Sequence, residues 1–250
     1  MANRFTGRCA VVTGAAAGIG RAAAVHLAAE GGRVCLIDVD FKGLEETRNY
    51  IKNAGGEAFI AQCDVSSEAS VSAAMKSAEE NYGSVRILFN NAGTESGDGL
   101  TDTLDLAAWE HIHSVNTRGP FLVAKYALQS MLRGGGGVIT TTSSIAGLIG
   151  TSGLHAYSTS KGAVIALTRA WAVTYAKQGI RANAICPGLV MTPMVARIGQ
   201  QFIDGATAMT PLGRGADPAE IANLVAFLSS DEASFITGAI IPIDGGYTAQ

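Results

Sequence analysis

From one end to the other, the 250-residue sequence alternates short β-branched, apolar runs with stretches of helical periodicity. That alternation limits the fold more than any single motif does. The expected strands are residues 8–12, 33–38, 57–63, 85–90, 138–142, 181–186 and 239–243, each bounded by glycine or polar turn residues. Helical patterns lie between them near 18–31, 41–54, 67–82, 104–132, 155–178 and 217–229. Strand–helix–strand repetition requires right-handed crossovers, and so a parallel sheet covered on both faces. The expectation is one doubly wound α/β domain over residues 1–250 with a seven-stranded parallel sheet. No composition shift or linker marks a second domain. With 48% hydrophobic and 16% charged residues, the chain can fill one large core.

Charge and cysteine usage exclude several partners. The net charge of −3 comes from interspersed acids and bases without a basic block, which argues against nucleic acid or an anionic membrane. Cys9, Cys35, Cys63 and Cys186 sit in or beside apolar runs without metal-ligand spacing. Buried thiols in a cytoplasmic protein, with no metal, are expected. No apolar run approaches the roughly 18 residues that span a bilayer.

In such a sheet the ligand crevice lies at the carboxyl ends of the strands, so the residues there come next. The first strand runs into Thr13-Gly14-Ala15-Ala16-Ala17-Gly18-Ile19-Gly20. Its glycines let the backbone turn tightly and approach a pyrophosphate, while a helix starting near Gly18 points its amino end at the anion. The second strand ends at Asp38, a carboxylate suited to accept from a ribose diol and to repel a 2′-phosphate. The third ends in Asp64-Val65, placed for an adenine edge, and the fourth in Asn90-Asn91-Ala92-Gly93, small residues and amides that can floor a cleft. Asn116 falls inside the 104–132 pattern as a mid-helix polar residue. The sixth strand ends in Pro187-Gly188-Leu189-Val190-Met191-Thr192, a turn able to cap a planar ring. Residues near 190–214 read either as a lid over the crevice or as an ordinary surface helix.

The remaining constellation carries the chemistry. Ser144 lies just past the fifth strand, thirteen residues before Tyr157, and could donate to a substrate oxygen. Tyr157 and Lys161, four apart at the head of a helical pattern, share one face. An ammonium about 4 Å from a phenol is worth roughly 4 kcal/mol at an effective dielectric near 20. That favours the phenolate and is expected to bring the tyrosine down toward neutrality.

Thr13-Gly14-x-x-x-Gly18-Ile19-Gly20, Asp64, Asn90-Asn91-Ala92-Gly93, Asn116, Ser144, Tyr157-x-x-x-Lys161 and Pro187-Gly188 together resemble the short-chain dehydrogenase/reductase family. The likeness runs from the first strand to Asp244-Gly245-Gly246. It implies a Rossmann-type fold and hydride transfer between NAD(H) and a secondary alcohol or ketone, with no metal. By that resemblance Tyr157 is the general acid/base, and Lys161 holds the nicotinamide ribose and lowers the tyrosine pKa. Ser144 orients the reacting oxygen, and Asn116 holds a water in a proton relay. The dinucleotide is expected on Gly14, Gly18, Ile19, Gly20, Asp38, Asp64, Val65, Asn91, Ala92, Gly93, Tyr157, Lys161, Pro187, Gly188, Val190 and Thr192. Asp38 and the alanines of the glycine loop favour NAD. The alternatives are an NADPH-dependent 3-oxoacyl-carrier-protein reductase, or a dinucleotide-binding scaffold without turnover.

Two further expectations concern surroundings. Just past Asn-Ala-Gly, Glu95 either faces the substrate or is a solvated loop carboxylate, and His155 stands two residues before the tyrosine at the cleft mouth. The long patterns at 104–132 and 155–178 carry Trp109, Tyr126, Trp171 and Tyr175 on more than one face. One face covers the sheet and the surplus seeks a partner. The resemblance implies that these helices pair in a homotetramer, with a dimer as the alternative.

Overall fold

The computed structural model describes residues 3–250, so Met1 and Ala2 of the expected domain lie outside the described residues. Seven parallel strands form one sheet in the order β3-β2-β1-β4-β5-β6-β7. They are β1 (Cys9–Thr13), β2 (Arg33–Asp38), β3 (Glu57–Gln62), β4 (Val85–Asn90), β5 (Gly137–Thr142), β6 (Ile180–Pro187) and β7 (Ile240–Ile243). The expected strands are all present, within two residues at each end.

Strand alternation sorts side chains into two cores. Ala10, Val12, Val34 and Leu36 face a layer built by α1 (Gly18–Ala29), α2 (Phe41–Asn53) and α9 (Pro218–Ser229). Cys9, Val11, Cys35 and Ile37 face the opposite layer of α3 (Glu68–Tyr82), α5 (Gly119–Gly134) and α6 (His155–Tyr175). A strand buried on both faces is continuously apolar, which is why these runs show no polar face. All four cysteines are free and buried, and burial pushes the Cys9 thiol up to about 12. No helix among the described residues is long and apolar enough to cross a membrane.

The expected helix over 104–132 is two helices. Helix α4 (Leu106–His113) passes through a π-helical turn at Ser114–Arg118 before α5 begins at Gly119. The reason is local: Pro120, in the first turn of α5, has no N–H for a continuous ladder. Gly119 lies so close to Val65 that a β-carbon there would come within 2.9 Å of its side chain. The segment after β6 forms two short helices, α7 (Pro193–Ile198) and α8 (Gln200–Ala208), with no buried residue in either.

The aromatic surplus also differs from expectation. Trp171 is buried in the core, Tyr126 and Tyr175 pack against it, and Trp109 stacks on His113 with centroids 4.3 Å apart. The large apolar side chains left exposed on α5 and α6 are Phe121, Leu132 and Val173.

Candidate active site

Strand order reverses between β1 and β4, and the carboxyl ends of these two strands open into a cleft. Thr13 closes the seam behind it: its Oγ1 accepts from the Asn91 and Ala92 N–H groups at 2.9 and 3.0 Å. The Asn91 side chain donates to the Thr13 carbonyl and accepts from Thr142 Oγ1 at 3.1 Å, tying β1, β4 and β5 together.

The glycine loop enters α1 with Gly14 and Gly18 at φ +67° and +54°, the left-handed region that other residues avoid. Gly20 sits behind the loop, where a β-carbon would come within 2.0 Å of the Gly14 carbonyl oxygen. It therefore acts by packing, since its own surface lies outside the cleft lining. Asp38 Oδ2 accepts from the Ala16 N–H at 3.1 Å and Oδ1 from the Asp40 N–H at 3.0 Å, so the carboxylate is fixed at the cleft edge. Arg21 braces the same loop from outside, bonding the Ala16 carbonyl, Thr47 and Glu46.

Of the expected dinucleotide residues, Gly14, Gly18, Ile19, Asp38, Asn91, Ala92, Gly93, Tyr157, Lys161 and Thr192 line this one cleft. Asp64, Val65, Pro187, Gly188 and Val190 do not. The Asp64 carboxylate turns toward Ser66, Val65 packs under Gly119, Gly188 abuts Asp244, and Val190 bridges to Ala216. The structure adds Ala17, Thr142, Pro193, Met194 and Arg197 to the lining. Thr142 was legible as a strand end. Arg197 carried no signal, because nothing local distinguishes a cleft-facing arginine on a short helix from a solvated one.

The chemistry gathers where β5 meets α6. Lys161 is 4% exposed, and its Nζ donates to the Thr142 carbonyl at 2.9 Å while lying 5.5 Å from the Tyr157 ring centroid. Ser143 Oγ donates to the Lys161 carbonyl at 2.8 Å and locks the helix to the strand. Ser144 Oγ accepts from the Ala146 N–H at 3.1 Å and neighbours the phenol. Asn116 is buried in the π turn. Its Oδ1 accepts from the Thr94 N–H at 2.8 Å, and its Nδ2 donates to the Thr94 carbonyl at 2.7 Å and to Ser160 Oγ at 3.1 Å. Both its donors are thus committed to protein. A β-carbon on Gly93 would lie 3.3 Å from Asn116 Oδ1 and from Lys161 Nζ, tight enough that these side chains would have to shift slightly. Glu95 is half-buried, and its charge reaches the phenol. His155 is engaged by Thr101.

The protonation states correct one expectation. Burial pushes the Tyr157 phenol up to about 12; the Ser144 hydroxyl opposes the rise and the Glu95 carboxylate adds to it. Burial holds Lys161 down to about 8. The ammonium faces the Thr142 carbonyl and the ring face rather than the phenol oxygen. In the ligand-free chain, desolvation of both groups outweighs their attraction. The phenol stays protonated at neutral pH, ready to donate.

A family model described as enoyl-(acyl carrier protein) reductase matches residues 14–248. The chain belongs to the short-chain dehydrogenase/reductase family. It is 43% identical to cis-4-hydroxycyclohexanecarboxylate dehydrogenase of Sinomonas cyclohexanicum over 249 residues, covering 100% of each chain. A short-chain type dehydrogenase/reductase from Mycobacterium marinum superposes with a TM-score of 0.95 at 33% identity, covering 99% of this chain and 98% of that one. Actinorhodin polyketide ketoreductase, in a variant solved with NADPH, superposes at 0.94 with 35% identity and full coverage of both chains. The family binds nicotinamide dinucleotides. The cleft fits such a group where Gly14, Gly18 and Gly93 leave space that a β-carbon would fill.

The buried lysine has a measurable consequence for stability. Its folded pKa, about 8, lies below the ordinary lysine value of 10.5. Between these values the unfolded chain binds more protons, so stability rises with pH. Below about pH 8 the full cost applies, on the order of 3 kcal/mol. Lys161→Met removes that cost and leaves the Thr142 carbonyl without its donor. The melting temperature of Lys161→Met minus that of wild type should therefore be most positive near pH 7 and fall steadily toward pH 10. A difference that does not vary with pH would show that the lysine is not held down.

Proposed function

We propose that the chain is an NAD-dependent secondary alcohol dehydrogenase, equally a ketone reductase, in which Tyr157 is the proton donor and acceptor. The observation that carries this reading is that Tyr157 and Lys161 line the cleft that the glycine loop opens, with the Ser144 hydroxyl beside the phenol. A bound nicotinamide supplies or accepts the hydride. The chain's own residues position the substrate and move the proton. Ser144 hydrogen-bonds the reacting oxygen and Tyr157 protonates it as the carbonyl is reduced. Lys161 would hold the ribose. Asn116 fixes the floor at Thr94 beside the lysine, and its second Oδ1 lone pair is available to a relay water.

Asp38 supports the choice of NAD. Held by the Ala16 and Asp40 amides, it places a fixed negative charge at the cleft edge. The alanines of the loop and Val39 offer no cation against it. The NADPH-bound neighbour carries the same backbone, so discrimination rests on side chains at this strand end. The relative from Sinomonas cyclohexanicum is named for a hydroxyl on a cyclohexane ring, which makes a cyclic secondary alcohol the first substrate class to try. Helices α7 and α8, carrying Met194 and Arg197, are read as its lid. The exposed apolar side chains on α5 and α6 support a homotetramer built on those helices, in the cytoplasm.

Three outcomes are expected. Tyr157→Phe keeps the ring and loses the proton donor. Its kcat should fall at least about a hundredfold while dinucleotide binding survives, and near-normal turnover in the purified variant would sink the assignment. Asp38→Ala should lower the preference for NAD over NADP by about tenfold, the worth of one hydrogen bond to a charged group. Wild type that already prefers NADPH would refute the role given to Asp38. Light scattering at micromolar concentration should give the mass of four chains, and a monomer would overturn the assembly.

A further inference from the structure

Helix α6 carries both Tyr157 and Lys161, yet the residues just before it do not cap it. Leu154 occupies the N-cap position without a side-chain hydrogen bond. The cap comes from far upstream, from the loop between β4 and α4. Asp98 Oδ1 accepts from the Ala156 N–H at 3.0 Å, and Oδ2 accepts from the Tyr157 N–H at 2.7 Å. Oδ1 also accepts from the Gly99 N–H at 2.7 Å, which orients the carboxylate. A second fastening lies beside it, where His155 Nδ1 accepts from the Thr101 N–H at 3.0 Å with Thr101 Oγ1 at 2.7 Å. The loop that carries Glu95 is therefore pinned at two points to the first turn of α6.

We propose that Asp98 is a positioning residue for proton transfer at Tyr157: it fixes the first turn of α6 to the loop at the cleft mouth, and its negative charge on the tyrosine's own amide opposes the phenolate as a further charge beside Glu95. The inference rests on the reading of Tyr157 as the acid/base group. Free amides at a helix start carry roughly half a positive charge. A phenol in that first turn would be drawn toward the phenolate. A carboxylate seated on those amides cancels the field. The other charged or titratable groups near the phenol or Asp98 are Glu95 on the same loop, Lys161 and His155 on α6, and His113 at the end of α4, while Arg197 lines the same cleft. Cys186 of β6, nearer to Lys161, is held as a neutral thiol by burial. Among the described residues, Asp98 is the carboxylate that bonds the Tyr157 backbone.

The test uses Asp98→Asn and Asp98→Glu in the full chain, with Tyr157→Phe measured in parallel. The rate of secondary-alcohol oxidation at saturating dinucleotide is followed against pH, together with the dinucleotide Kd and the melting temperature. Asn keeps one acceptor oxygen and loses the charge. It should move the apparent pKa of the pH–rate profile to lower pH by about half a unit to one unit. Its kcat should drop about tenfold or more through the loosened turn, and its dinucleotide Kd should stay within about twofold of wild type. Asp98→Glu keeps the charge and should restore the wild-type apparent pKa even where kcat stays low. A lower melting temperature and kcat with unmoved profiles in both variants would mean a purely structural cap and overturn the proposal. So would a Glu profile displaced as far as the Asn profile. Normal turnover in Tyr157→Phe would instead overturn the acid/base reading, so the two failures are distinguishable.

Discussion

A lysine ammonium buried at the end of a parallel sheet is the constraint on which the site depends. Lys161 is almost wholly covered, donates to a main-chain carbonyl, and has no carboxylate to pair with among its hydrogen-bonding partners. An arrangement of this kind opposes folding at neutral pH. It persists because the surrounding fold fixes every neighbour: Ser143 clamps the helix to β5, Gly93 leaves room above, and Asn116 anchors the floor through Thr94. Stability given up at one point is offset by two full cores on either side of the sheet.

The sheet explains why these residues meet at all. Parallel strands bring every carboxyl end to one edge, and reversal of strand order between β1 and β4 parts the crossovers there. The glycine loop, Asp38, Asn91 and Thr142 leave four different strands and still line one cleft. A neighbour bound to NADPH shares the backbone at a TM-score of 0.94. On the reading that Asp38 selects NAD, discrimination rests on one carboxylate at the end of β2 that two amides hold in place.

The strands were readable because burial on both faces leaves a continuous apolar signature, and the glycine loop because positive φ admits few residues. The break at Ser114–Arg118 was also written in the chain, in Pro120, but helical periodicity on either side masked it. Other features had no local trace. Arg197 reaches the cleft only because α7 folds back over it. The side chains of Trp171 and Tyr126 go inward, which a count of aromatic residues per face does not reveal. The phenol's pKa depends on how much water the cleft excludes and on which atom the ammonium faces. Spacing alone gave the pair but not the balance between desolvation and attraction.

That balance also orders the electrostatics of the cleft. Positive charge lies deep, at Lys161, and on α7, at Arg197. Negative charge lies at the Asp38 edge and along the loop that follows β4, at Glu95 and Asp98. A phenol set between these groups responds to small displacements of either set, because charges in a poorly solvated space are weakly screened. The loop bearing Glu95 and Asp98 is tied directly to the turn that holds the phenol. A substrate that shifts this loop on arrival would thereby alter both the position and the proton affinity of Tyr157. On the acid/base reading of Tyr157, substrate fit and proton transfer would be coupled through this one short segment by the hydrogen bonds of Asp98.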